Sequence, residues 1–106
     1  MIKVVLLSHG DRVIGFRVSG HAGYAESGSD VVCAGVTTAV QLIANGITEC
    51  AGIAAEVKVQ ENLVSLLLPE MCHDKSAFLL LEAFELQMGI MAQEYKEYVA
   101  LTYAEV

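Results

Sequence analysis

The hydrophobic period of this chain changes from two to about 3.6 residues, and it does so twice, which few folds accommodate. Ile2 to Leu7 is apolar except for Lys3 and reads as a strand buried largely on both faces. Ser8-His9-Gly10-Asp11 has turn chemistry, with Gly10 free to take a positive φ. Val13 to Ser19 alternates, with Ile14, Phe16 and Val18 on one face and Arg17 on the other, so the pair reads as a hairpin. After a break from Gly20 to Ser29, Val32, Val36, Val40, Ile43 and Ile47 recur at helical spacing. Gly46, late in that helix, marks a fraying end or a close approach.

The pattern then repeats. Val57 and Val59 alternate with Glu56, Lys58 and Gln60, Glu61-Asn62 is a turn, and Leu63 to Leu68 is an apolar run stopped by Pro69. From Asp74 the chain reads as one long helix, with Ala77, Leu81, Phe84, Met88, Met91, Tyr95 and Tyr98 in a 4-3 alternation. Leu80, Ala83 and Leu86 widen this stripe enough to cover a sheet and leave apolar surface for a partner. The predicted order is ββαββα. That is an α+β, two-layer fold, a four-stranded antiparallel sheet with two helices packed on one face.

At 106 residues the chain is expected to form a single domain, 1–106. Hydrophobic residues make up 55% and charged residues 18%, which excludes an intrinsically disordered protein. The apolar share is high for a small monomer, so a second copy is expected to cover part of the surface. The net charge is −7, and the six basic residues are scattered from Lys3 to Lys96. They supply no basic patch for a phosphate backbone. The acidic surface would instead steer basic partners. Three cysteines without paired spacing argue against a disulfide framework. The apolar N-terminal stretch is too short for a secretory signal, and no uninterrupted apolar run approaches the ~18 residues of a membrane span. These features predict a soluble, reduced, cytoplasmic protein.

The chemistry centres on one thiol. Cys33 lies three residues after Asp30, in the first turn of the predicted helix, where Asp30 or Ser29 would cap. Unpaired N–H groups and the helix dipole favour negative charge there, and so favour a thiolate. The same N–H groups are suited to holding an oxyanion. Cys50 sits at the far end of the same helix and Cys72 in a connection beside His73, and both read as ordinary residues. His21, at the start of the Gly-rich break, is placed to fold back on Cys33 as a base. Gly20, Gly23 and Gly28 give that segment its freedom to open and close on an extended peptide. A Cys on a helix and a His on a loop twelve residues apart also arise by chance in many proteins.

No close Cys or His pairs have the spacing of a zinc site, so no metal is expected. The Gly-rich segment lacks the lysine of a phosphate cradle. No cofactor is implied. Phe16, Tyr24 and Phe78 are apolar candidates for a substrate pocket. Two other readings are a non-catalytic module that binds a ribosomal protein and a redox thiol protein. The second lacks a resolving Cys near Cys33 in sequence.

At Gly20-His21-Ala22-Gly23 and Asp30-Val31-Val32-Cys33-Ala34-Gly35-Val36-Thr37, the chain resembles the ribosomal-processing cysteine proteases, the Prp family of Firmicutes and related bacteria. The resemblance covers nearly the whole chain. It implies a cysteine endopeptidase that removes a short N-terminal extension from a large-subunit ribosomal protein, number twenty-seven in the conventional naming, cutting after an aromatic pair. It implies a catalytic dyad of His21 and Cys33, and a homodimer. Thr37 stands where the family often has Ser, and keeps the hydroxyl. Asp30 has two readings, one that orients His21 and one that only caps the helix. The cap needs no further assumption.

Overall fold

The structure, a computed structural model, describes residues 1–20 and 29–106, with side chains described everywhere except at Ser29 and Asp30. Its elements are β1 (Ile2–His9), β2 (Arg12–Ser19), α1 (Ser29–Asn45), a π-helical turn (Gly46–Cys50), β3 (Glu56–Gln60), β4 (Leu63–Leu67), α2 (Lys75–Glu94) and β5 (Val99–Glu105). The fold is α+β with two helices, as expected. The sheet differs from the expectation: it has five strands, not four, in the order β3-β4-β2-β1-β5. It is mixed, because β5 runs parallel to β1, from Ile2↔Val99 to Ser8↔Glu105. The order is therefore ββαββαβ rather than ββαββα.

The reason for the difference lies in residues 95–103. Met91, Tyr95 and Tyr98 prolong the helical spacing, but α2 ends at Glu94, and the N–H groups of Tyr98 and Val99 both bond to the Tyr95 carbonyl. Val99, Leu101 and Tyr103 then alternate, a β-branched and aromatic set suited to a pleated surface. At the other end of α2, the Asp74 side chain accepts from the Ser76 N–H at 2.8 Å, an N-cap. With β5 on its outer side, β1 is an interior strand, which accounts for its nearly continuous apolar run.

Both helices cover one face of the sheet. Ile2, Val4 and Leu6 of β1, Phe16 and Val18 of β2, Leu66 of β4 and Val99 of β5 are buried there. They meet Val32, Val36, Val40, Ile43 and Ile47 from α1 and its π-helical turn, and Ala77, Leu81, Phe84, Met88 and Met91 from α2. Phe16 and Phe84 lie ring on ring, with centroids 4.6 Å apart. The opposite face carries the exposed side chains of Lys3, Arg17 and Lys58.

Val31–Cys50 is long and apolar enough to cross a membrane by length and composition, although polar residues interrupt its apolar runs. Its hydroxyl and amide residues are spaced around the helix and do not break the window. In the fold, its apolar stripe packs on the sheet.

Two glycines fix the chain's course. Gly20 has φ +84 and ends β2 against the first residue of the chain, where a Cβ would lie 2.2 Å from the Met1 carbonyl oxygen. Gly46 opens the π-helical turn, and a Cβ there would meet a Leu80 methyl at 3.2 Å, so a close approach to α2 is its role.

Candidate active site

Cys33 is the fifth residue of α1, at the boundary of its first and second turns, one residue deeper than the sequence reading placed it. It is half-buried and packs against the core. Gly35, two residues on, faces α2 near its C-terminal end, with a Cβ position 3.5 Å from the Met91 methyl. Cys33 therefore lies at the end of the helix layer where α2 finishes.

The described histidines lie at the other end. His9 is at the β1–β2 hairpin, its Nδ1 2.9 Å from the Val106 carbonyl oxygen. β1 is eight residues long, which separates its two ends by roughly 25 Å. His73 is exposed just before α2, whose first turn borders Asp11 and Arg12 of the same hairpin. Neither reaches Cys33. His21, the base expected from sequence, lies outside the described residues, as do Gly23, Gly28 and Tyr24; Gly20, its chain neighbour, is described above. The Asp30 backbone is in the first turn of α1, and its side chain lies outside the described part. The other cysteines differ in setting: Cys50 is exposed at the end of the π-helical turn, and Cys72 is partly buried before α2. No disulfide joins the three. Among the described residues, no group of three or more His, Cys, Asp and Glu comes together as a metal site would require.

One helical turn beyond Cys33 the surface opens into a groove of about 250 Å³ between α1 and the strands β2, β4 and β3. Val36, Val40 and Ala44 form one wall, and Val18, Val64, Val57 and Val59 form the other. Thr37, Gln41 and Asn45 make a neutral polar rim. Thr37 and Thr38 differ in role: Thr38 donates its hydroxyl back to the Ala34 carbonyl oxygen at 2.9 Å, whereas Thr37 faces the groove.

Val57, Val59 and Val64 are the groove residues that reasoning from the sequence did not place there. Phe16 is fully buried against Phe84. Phe78 lies under the Arg12 guanidinium, 4.4 Å from ring centroid to carbon, at the hairpin end. The available signal was the Val57, Val59 alternation, but only the sheet order shows that α1 leaves these two side chains uncovered.

Comparison with known proteins gives one consistent answer. A family model described as cysteine protease Prp matches residues 1–100. The ribosomal processing cysteine protease Prp of Bacillus subtilis (strain 168) is 30% identical over 100 residues, covering 90% of this chain and 89% of its own. Among solved structures, SMU.848 from Streptococcus mutans superposes with a TM-score of 0.90 at 25% identity, covering 100% of this chain and 96% of its own. The essential ribosomal processing protease Prp from S. aureus, in complex with a substrate peptide, superposes with a TM-score of 0.89 at 21% identity, covering 98% and 100%.

Proposed function

The chain belongs to the Prp family of cysteine proteases, and from that premise we propose that Cys33 is its nucleophile and His21 its general base and acid. The observation that carries the assignment is the setting of Cys33. It sits near the start of α1, one turn from an apolar groove, and neither Cys50 nor Cys72 has such a neighbourhood.

The reaction follows from those parts. The Cys33 proton passes to His21, and the sulfur attacks the scissile carbonyl carbon. The carbonyl electron pair moves to oxygen, and the N–H groups in the first turn of α1, which lack helical partners, hold the oxyanion. Collapse expels the amine, which takes its proton from His21 and leaves a thioester on Cys33. Water, activated by His21, then releases the acid and restores the thiol. No cofactor enters these steps. Asp30, an acid in the first turn of α1, favours the helix start, and Thr37 presents a hydroxyl to the substrate.

The substrate in this reading is a large-subunit ribosomal protein, number twenty-seven, carrying an N-terminal extension. The cut falls after an aromatic pair, in the cytoplasm, where thiols stay reduced. Support for this comes from the B. subtilis relative, a ribosomal processing protease by name, and from the S. aureus Prp that was crystallised with a substrate peptide. The test is to incubate the extended ribosomal protein with wild type and with Cys33→Ala and to read the products by mass spectrometry. Wild type is expected to cut one bond after the aromatic pair and the variant none. An intact substrate beside folded wild-type protein would refute the assignment.

A homodimer belongs to the same reading. The outer side of the helix layer carries Val31 (74% exposed), Leu42 (68%), Leu79 (65%), Leu86 (68%) and Ile90 (39%). On α1 the spacing runs Val31, Gly35, Thr38, Leu42, and on α2 it runs Leu79, Ala83, Leu86, Ile90, both in a 4-3-4 pattern. Two such stripes, with Glu94 at one end of the depression between them, suit a self-complementary two-fold contact.

A further inference from the structure

We propose that the open face of the sheet, the one without helices, is a docking surface for the phosphate backbone of a nucleic-acid duplex, held by Lys3, Arg17 and Lys58. The proposal is independent of the reading of Cys33. It concerns the side of the sheet turned away from α1, and binding rather than cleavage.

The argument begins with strand pairing. The chain has six basic residues, spread in sequence from Lys3 to Lys96, and the sheet gathers three of them on one face. Lys3 stands between the buried Ile2 and Val4, and Arg17 between the buried Phe16 and Val18, so both point away from the helices. Lys58 stands between Val57 and Val59, which turn to the α1 side, so it shares the open face. Arg17 pairs with Ser65, and Ser65 with Lys58, which sets these two cations two strands apart, about 10 Å. Lys3 pairs with Ser19, two residues from Arg17, so Lys3 and Arg17 are diagonal neighbours about 7–8 Å apart at the backbone. All three side chains are exposed.

The rest of the face decides what the cations meet. Among the described strand residues, Glu56 is the one acid on it, although acids outnumber bases thirteen to six in the chain. Glu56 is paired with Lys58 at 3.0 Å, but both side chains are well exposed, and a solvated pair of this kind is exchanged for a phosphate at little cost. Val5, Leu7, Leu63 and Leu67 lie on the same face but are half-buried or buried, so its outermost layer is cationic and neutral polar. An amphipathic acidic segment would find no apolar side chain standing out to cover. A second copy of this face would bring three cations against three, which opposes a two-fold contact here. Among the described residues no aromatic side chain lies on the face, so the bases of a single strand have nothing to stack on. The backbone of a duplex needs neither. Lys and Arg meet its oxygens, and Ser19, Ser65 and Thr102 stand among the cations as hydroxyl donors, the residue types that contact phosphate without reading sequence. The net charge of −7 makes such binding weak and sensitive to salt.

The test is an anisotropy titration of a fluorescein-labelled RNA hairpin with the intact protein, between about 50 and about 200 mM salt. Wild type is expected to bind. The logarithm of its affinity should fall against that of the salt concentration with a slope of about −2 to −3, as three phosphate contacts require. Lys3→Ala, Arg17→Ala and Lys58→Ala are each expected to weaken binding about fivefold and to make the slope shallower by about one. Arg17→Lys keeps the charge and is expected to stay within about twofold of wild type, as are Lys75→Ala and Lys96→Ala, which remove cations elsewhere. All these side chains are exposed, and circular dichroism checks that each variant is folded. No binding by wild type at the lowest salt overturns the proposal. So does binding that Lys75→Ala or Lys96→Ala weakens as much as Arg17→Ala does. If a labelled poly-glutamate peptide binds where the hairpin does not, and Arg17→Ala weakens it, the partner is an acidic protein and the nucleic-acid assignment is overturned. The readout is binding alone, so each of these failures leaves the protease assignment standing.

Discussion

At the scale of single residues, the positions that matter are those where chemistry and space leave no alternative. Gly20 combines a φ of +84 with a Cβ position 2.2 Å from the Met1 carbonyl oxygen, whereas Gly10 has φ +61 and open space around it. Alanine at Gly10 meets only the left-handed backbone penalty, about 1 kcal/mol. Alanine at Gly20 must also push β1 away from β2. Urea denaturation should therefore rank Gly20→Ala well below Gly10→Ala in stability, and equal midpoints would contradict the close approach. The placement of Cys33 near a helix start was legible in the sequence because a helix start is a local matter. The groove was not legible. Val57 and Val59 read as a half-buried strand face, and which strand lies at an edge depends on pairing between residues far apart in the chain. The aromatic residues attracted attention as pocket candidates, but Phe16 is held at the centre of the core by its contact with Phe84.

At the scale of elements, the decisive event is the turn at Tyr95, which ends α2 and sends β5 back along β1. The repeating spacing of Ala77 to Tyr98 hid that turn. Helix and strand periods both pass through Tyr95 and Tyr98, and an apolar run this short fits either. The hairpins and the first helix were legible because their periods are unambiguous and their turns carry Gly10 and Asn62, the latter at φ 66. β5 is tied to α2 by one side-chain bond, from the Tyr103 hydroxyl to Glu85 Oε2 at 2.6 Å. That bond, then a small burial effect and the charge of Glu85, raises the Tyr103 pKa above its ordinary value of 10.0. A raised pKa means that the protonated phenol is the form the fold favours. Its contribution is complete below the unfolded value near 10 and is lost as pH rises through the higher folded value. Wild type should therefore exceed Tyr103→Phe in stability at pH 8, and the gap should close at strongly alkaline pH. A gap that widens with pH would reverse the sign and refute the account.

At the scale of the whole molecule, the faces divide the work. The sheet's inner face and the two helices make the core, the edge at β3 meets the groove, and the outer helix stripes are left apolar. The 55% hydrophobic content pointed to such a surplus, and the widened stripe through Ala83 and Leu86 pointed to where it lies. Leu80 turned out to pack near Gly46 instead. If two copies meet through Leu79, Leu86 and Ile90, then Leu86→Glu should convert a dimer to a monomer in sedimentation or light scattering, with the fold intact by circular dichroism. A variant of unchanged mass would place the contact elsewhere. The parallel pairing of β5 with β1 has a consequence for the making of the protein. Residues 2–8 find their outer neighbours only at 99–105, nearly a chain length away. Contacts of such separation close late and slowly. On a translating ribosome the interior strand waits, with one edge unpaired, until the last strand has emerged. A protease of this topology is thus withheld until residues 99–105 have been made, and its own nascent chain spends that interval with an open edge.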